Sequence, residues 1–288
     1  MNPLYYLLRL CVVLVLLGIQ SVAHAVTAVF QDGQATPVVG GAYSGTRDTM
    51  LLVNGGTNSA TDNFGGRGEV TVGAMGFTGD PYLRRSLIKF DITGLSGQAG
   101  TINSATLRLF LFNGNNATGG GTVNLFRVAA ANAGWVEGGG IATGNYGGGS
   151  STWASLVEGS SAWAGGTGGM GVAGVDYLSS AISSYSYAAI PGIGTAIDFV
   201  FSDVSFLGDW IAGNNGGLFL RQADETNAQN WLSFYSSETG VNWPTDTASA
   251  SLRPQLIIDF DMVPEPSRFM IALSALMPVL LCRRRVIC

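Results

Sequence analysis

Four segments of this chain alternate apolar and polar residues with a period of two, and nothing longer than a turn or two follows the period of a helix. In residues 87–92, Ile88, Phe90 and Ile92 point one way and Lys89 and Asp91 the other. In 105–112 the inward set is Ala105, Leu107, Leu109 and Leu111, with Arg108 outward. Ile197, Phe199 and Phe201 repeat the pattern, as do Leu256, Ile258 and Phe260. Successive side chains leave a strand on opposite sides, so this period marks strands with one buried face. Turn formers such as Asn113-Gly114-Asn115-Asn116 and Asn214-Asn215-Gly216-Gly217 divide the runs. The one helical candidate is a turn or two within 206–212. Short strands divided by Gly/Asn turns, without strand–helix alternation, predict an all-β jelly-roll β-sandwich and exclude a parallel α/β sheet.

One stretch breaks the pattern. Residues 134–174 interleave glycines with Trp135, Trp153 and Trp163, over a length unusual for a loop in a compact domain. We expect a large excursion anchored by its tryptophans, not a linker between domains. Residues 26–262 then form one domain, a size that single β-sandwiches reach.

Composition removes whole classes of chemistry from that domain. Cys11, Cys282 and Cys288 all lie near the chain ends, and His24 is the single histidine. A disulfide framework, a Cys/His zinc site, a Ser-His-Asp triad and a Cys-His dyad are therefore excluded from residues 26–262. The same span carries 18 acidic residues against eight arginines and Lys89. An acidic core without a basic stripe argues against nucleic acid as a partner, because that binding depends on neutralising phosphates.

The ends carry signals of their own. Arg9, the apolar run 10–19 and Ala23-His24-Ala25 have the order of a secretory signal peptide, residues 1–25. In 263–288, Pro264-Glu265-Pro266 precedes an apolar stretch of 14 residues, 269–282, and then Arg283, Arg284 and Arg285. This tail resembles the PEP-CTERM sorting signal, and the resemblance implies an exosortase-type processing enzyme as partner. The two prolines present an extended segment to such an enzyme. The apolar stretch is short for a stable span, which suits a transient inner-membrane stop, with the arginines held cytoplasmic. The expected destination is the cell surface or extracellular matrix.

Six segments follow one another through the middle of the chain: Arg85-Ser86-Leu87-Ile88-Lys89-Phe90-Asp91, Ile102-Asn103-Ser104-Ala105-Thr106-Leu107-Arg108-Leu109, Trp135-Val136-Glu137-Gly138, Ser151-Thr152-Trp153, Asn215-Gly216-Gly217-Leu218-Phe219-Leu220 and Arg253-Pro254-Gln255-Leu256. In that order they resemble the DNRLRE domain, a carbohydrate-binding-module-like jelly roll of secreted bacterial proteins. The name-giving motif is only loosely matched at Asp62-Asn63-Phe64. The resemblance implies the sandwich fold and suggests exopolysaccharide or another glycan as ligand.

Sugar sites commonly use exposed aromatic rings, whose flat faces stack on the C–H face of a pyranose. Trp163, Tyr185, Tyr187 and Trp243 lie in segments that read as loops beside Ser, Asn and Thr, and are the candidate ligand-binding residues. The alternative is that these rings fold back to cap the sandwich, and Trp135, Trp153, Trp210 and Trp231 look like core or edge packing. An enzyme would have to use carboxylates, but Asp176, Asp203, Asp209, Glu137 and Glu158 show no pairing motif. No catalytic residue, cofactor or metal is assigned. Asp48, Asp62 and Asp80 are oxygen donors suited to Ca²⁺, but they form no EF-hand-like loop. The expectation is a non-catalytic surface or matrix protein that associates with polysaccharide; the rivals are a structural coat protein and a carboxylate glycosidase.

Overall fold

The computed structural model describes residues 24–36, 40–54, 59–76, 82–116, 119–226 and 229–263. The strands are β1 (Ala25–Phe30), β2 (Thr46–Val53), β3 (Glu69–Ala74), β4 (Leu83–Phe90), β5 (Ala99–Asn116), β6 (Gly121–Arg127), β7 (Ser155–Val157), β8 (Ser161–Ala162), β9 (Ser183–Tyr187), β10 (Ala196–Val200), β11 (Leu218–Gln222), β12 (Asn230–Tyr235) and β13 (Gln255–Met262). One short helix, α1 (Leu207–Ile211), falls where the sequence allowed it. The fold is the expected all-β sandwich, formed by curling a single large antiparallel sheet.

Eleven strands join in the order β1-β13-β5-β12-β3-β4-β11-β6-β9, with β10 beside β5 and β2 beside β4. The long β5 makes the curl possible. Its first part pairs with β13 and β10, and its last part with β12, so both walls of the sandwich share it. This corrects one expectation: Asn113-Gly114-Asn115-Asn116 is not a turn but the end of β5, laddered to Ser233, Leu232, Trp231 and Asn230. A register shift beside Phe234 bends the strand there, and the continuous ladder with β12 outweighs the turn preference of Asn and Gly.

The period-two residues meet inside. Ile88, Phe90, Ile92, Ala105, Leu107, Leu109, Leu111, Ile197, Phe199, Phe201, Leu256, Ile258 and Phe260 all belong to one buried cluster. Full burial of a Leu, Ile or Phe side chain contributes about 1.5–3 kcal/mol, which is why the alternation is so strict. Outward Arg108 pairs across the ladder with Asp198 at 2.7 Å.

A second apolar cluster lies on the opposite face of the sheet. Leu51, Leu87, Phe126 and Phe219 point away from the inner core and are covered by Trp135, Trp163, Met170 and Tyr177. The strands beneath are therefore buried on both faces, and they read as continuous apolar runs such as Leu218-Phe219-Leu220. The covering layer comes from the Gly-rich excursion, which includes the small β7–β8 hairpin.

With few ladders of its own, this layer satisfies its backbone through buried side chains. The Asp176 carboxylate accepts N–H groups from Gly165 (2.7 Å) and Val172 (2.9 Å) and the Asn132 amide (3.0 Å). The Asn63 amide donates to the Glu137 and Ser151 carbonyls and accepts from the Gly65 and Gly140 N–H groups. At Gly65 the chains approach so closely that a Cβ would lie 1.9 Å from the Glu137 carbonyl oxygen. Arg85 fastens the excursion from below, donating to the Gly169 carbonyl at 2.6 Å while pairing with Glu225 at 2.7 Å.

Candidate functional site

A cleft of about 630 Å³ opens where β4 ends, between the 42–47 segment and the loop after α1. Its lining includes Tyr43, Arg47, Lys89, Asp91, Trp210 and Asn215. Gly45 keeps it open at close quarters, since a Cβ there would lie 2.8 Å from both the Asp91 Cβ and the Tyr43 hydroxyl. The Tyr43 side chain is 4% exposed and its hydroxyl is closed to solvent. Burial, with Asp32 and Asp91 nearby, drives its pKa upward, so the phenol stays protonated and can donate. Asn215 is oriented by the Phe90 carbonyl, 2.7 Å from its amide nitrogen. The cleft thus mixes aromatic walls with a few fixed polar groups, the usual make-up of a small-ligand or sugar site.

Beside the cleft, at the free edge of β2, three carboxylates converge. Asp48 comes from β2, Glu137 from the excursion just after Trp135, and Glu238 from the loop after β12. One oxygen of each lies within 4.8 Å of the others. Glu137 accepts the Asp48 N–H at 2.7 Å, covering a donor that the edge strand leaves open, and its other oxygen is 3.5 Å from Arg47. Burial and the Glu238 charge push the Glu137 carboxyl up to about 8. Asp48 is raised well above the usual carboxylate range by burial, then by Glu238 and Glu137. Glu238 is raised as well, chiefly by burial. Lys89, the other neighbouring cation, donates to the Trp135 carbonyl at 3.1 Å and sits 4.3 Å over the Trp135 ring. Burial lowers its pKa, against the pull of Glu137.

The four aromatic candidates do not form one surface. Trp163 is 2% exposed and its indole N–H donates to the Thr152 and Trp153 carbonyls, so its ring belongs to the outer cluster and is closed to a polymeric ligand. Tyr185 and Tyr187 lie in β9, not in a loop. Their alternation has one cause: β9 pairs with β6 and turns both rings toward the inner core, where they stack at 6.0 Å. The buried Tyr187 hydroxyl donates to Asn230 at 2.6 Å and accepts from Gln222. Trp243 alone is well exposed, at 54%, with the Arg67 guanidinium 4.2 Å over its ring. Trp135 and Trp210 are buried, as their reading as packing residues required.

The acids also sort themselves. Asp176 is fully buried just after the excursion, Asp203 caps the Ser205 N–H, and Glu158 accepts from Thr152. Asp62 accepts the Gly144 N–H, and Asp80 lies outside the described residues, so Asp48, Asp62 and Asp80 are not brought together among them. Asp48 instead meets Glu137 and Glu238, which sequence reasoning did not connect. No local signal joins them: Asp48 and Glu137 are 89 residues apart, and Asp48 and Ser237, the neighbour of Glu238, are 189 apart. The signal run 10–19, Pro264, Glu265, Pro266, Arg283, Arg284 and Arg285 lie outside the described residues. Among those described, no helix is long and apolar enough to cross a membrane.

No curated protein matches the chain. Residues 44–139, which carry Arg47, Lys89, Asp91, Glu137 and most of the cleft lining, match the family model of carbohydrate-binding module family 96.

Proposed function

We propose that this chain is an exported, non-catalytic protein that binds polysaccharide through the cleft at the end of β4. The observation that carries this reading is the coincidence of two independent features: the carbohydrate-binding-module match over residues 44–139 and a cleft lined largely by residues of that span. Arg47, Lys89, Asp91 and Asn215 are the polar groups of the lining that would meet sugar hydroxyls, above a floor closed by the buried Tyr43 and Trp210. Trp243 offers a separate platform on the surface. The resemblance of the middle to the DNRLRE domain and of the tail to the PEP-CTERM signal supports placing that binding at the cell surface or matrix, after processing by an exosortase-type enzyme.

The acid cluster does not favour a glycosidase. Asp48 is only 1% exposed, so a glycosidic bond has no access between it and the glutamates, as two hydrolytic carboxylates flanking the scissile bond would require.

A glycan array, with exopolysaccharide from the producing cells included, tests the proposal. Retention of the wild-type chain is expected, with Arg47→Ala weakened about 10-fold, the loss of one hydrogen bond to a charged group. Failure of the wild type to bind any glycan overturns the reading in favour of a coat protein. Mass spectrometry of the matrix form tests the sorting: Cys288 still attached there would leave a plain membrane tether in place of a processed tail.

A further inference from the structure

The carboxylates at the β2 edge have more oxygen atoms than donors. Asp48 is 1% exposed; its Oδ2 accepts the Ser237 N–H at 2.8 Å, while its Oδ1 has no hydrogen-bond partner. Glu238 receives the Ser237 hydroxyl, shared between its two oxygens, and Glu137 receives the Asp48 N–H. Arg47, with a side chain 49% exposed, is a distant partner at 3.5 Å, and Lys89 is turned to Trp135. A buried carboxylate oxygen with no donor is unfavourable unless a cation or a proton meets it.

We propose that Asp48, Glu137 and Glu238 bind a divalent cation, Ca²⁺ first of all. The donor set is oxygen only, which selects a hard cation and disfavours zinc or copper. With Ca–O distances of about 2.3–2.6 Å, two oxygens on one ion lie no more than about 5.2 Å apart, and one oxygen from each of the three residues meets that bound. The unpartnered Asp48 Oδ1 supplies the buried ligand, and the half-buried glutamates admit solvent as further ligands.

The ion would join three distant pieces of chain: the β2 edge, the excursion and the loop after β12. The Glu238 carbonyl accepts the Val241 and Asn242 N–H groups, closing the turn that presents Trp243. Metal at Glu238 would therefore hold that turn, and Glu137 would draw the start of the excursion onto β2. This inference stands apart from glycan binding, since none of its observations involves a sugar.

The full-length chain, purified in mild detergent and stripped with EDTA, is titrated with CaCl₂ by calorimetry and melted with and without CaCl₂, with MgCl₂ as the parallel arm. We expect one Ca²⁺ per chain and a melting temperature about 5–10 °C higher at 100-fold excess over Kd. Glu238→Gln, at a half-buried position that keeps its shape, should lose the calcium response. Asp48→Asn should lose it too, yet melt close to the wild type in EDTA, because the amide keeps the shape and an acceptor for the Ser237 N–H; a purely structural Asp48 would lower the EDTA melt and leave the calcium response intact. No calcium heat and no shift in the wild type, a response to Mg²⁺ alone, or a response retained in both variants overturns the proposal. The array is run in EDTA and in CaCl₂, so a chain that binds glycan without binding calcium sinks this inference only.

Discussion

The two faces of the sheet are packed in different ways. Inside, Leu107, Phe199 and Ile258 come from β5, β10 and β13, which ladder through β5, and their backbones need no side-chain help. Outside, Trp135 and Trp163 come from irregular chain, and each indole N–H is bonded to a backbone carbonyl: Trp135 to Gly216 at 2.9 Å, Trp163 to Trp153 at 3.1 Å. The inner layer is held chiefly by apolar area, the outer layer by apolar area plus a buried polar net around Asp176, Asn63 and Arg85. Loss of one polar pin should therefore loosen the outer layer and leave the inner one standing.

The sharpest test of that difference pairs two cavity-forming variants. Phe199→Ala and Trp163→Ala should each destabilise by about 3–5 kcal/mol where they act. Phe199→Ala should lower the protection of all core amides together in hydrogen exchange. Trp163→Ala should expose amides of 134–174 while those of β5 and β13 keep theirs. Uniform loss in both variants would mean that the two layers unfold as one unit.

Arg85→Met comes next. It leaves Glu225 with Arg221 as its one remaining ion-pair partner and removes the bond to the Gly169 carbonyl, at side-chain exposures of 8% and 9% for Arg85 and Glu225. Breaking one side of such a buried pair costs about 3 kcal/mol, somewhat less here because Arg221 persists. Denaturant melts should show the loss, and proteolysis should cut first within the excursion.

A smaller effect follows from pH in metal-free protein. Glu137 keeps its proton up to about 8 in the folded state, above the ordinary carboxylate value of the unfolded chain. The folded state thus binds more protons in that window, and stability falls as pH rises from the usual carboxylate range toward 8. Melts in EDTA from pH 5 to 8 check it; Glu137→Gln should flatten the slope. The least effect is expected at the surface. Arg108→Ala breaks a pair whose side chains are 36% and 40% exposed and should cost about 0.2–1 kcal/mol. A larger loss there would show that the β5–β10 ladder depends on its outward pair.

Much of this was legible in the chain. Ile88, Phe90, Leu107 and Phe199 announced their side of the strand because period two is a local property, set by the pleat of a single strand. The sequence also marked 134–174 as an excursion with tryptophan anchors, and the shortness of α1. It did not mark which aromatics remain open. Trp163 and Trp243 stand in similar Gly- and Ser/Thr-rich surroundings, yet one is enclosed by the sheet face it covers and the other is left in water under Arg67. That choice depends on what lies opposite in space. Likewise the cover for Phe219 comes from residues such as Trp135 and Tyr177 that no spacing links to it.

Local pattern therefore determined the strands around 88–92, 105–111, 197–201 and 256–260 and their inward faces, because each is a property of neighbouring residues, and composition alone removed Cys and His chemistry from residues 26–262. Only the folded chain decided the cleft, the exposure of Trp243 and the meeting of Asp48, Glu137 and Glu238. Those depend on contacts between residues about 90 to 190 positions apart, and such contacts are fixed by the curl of the sheet around β5, not by any run of sequence.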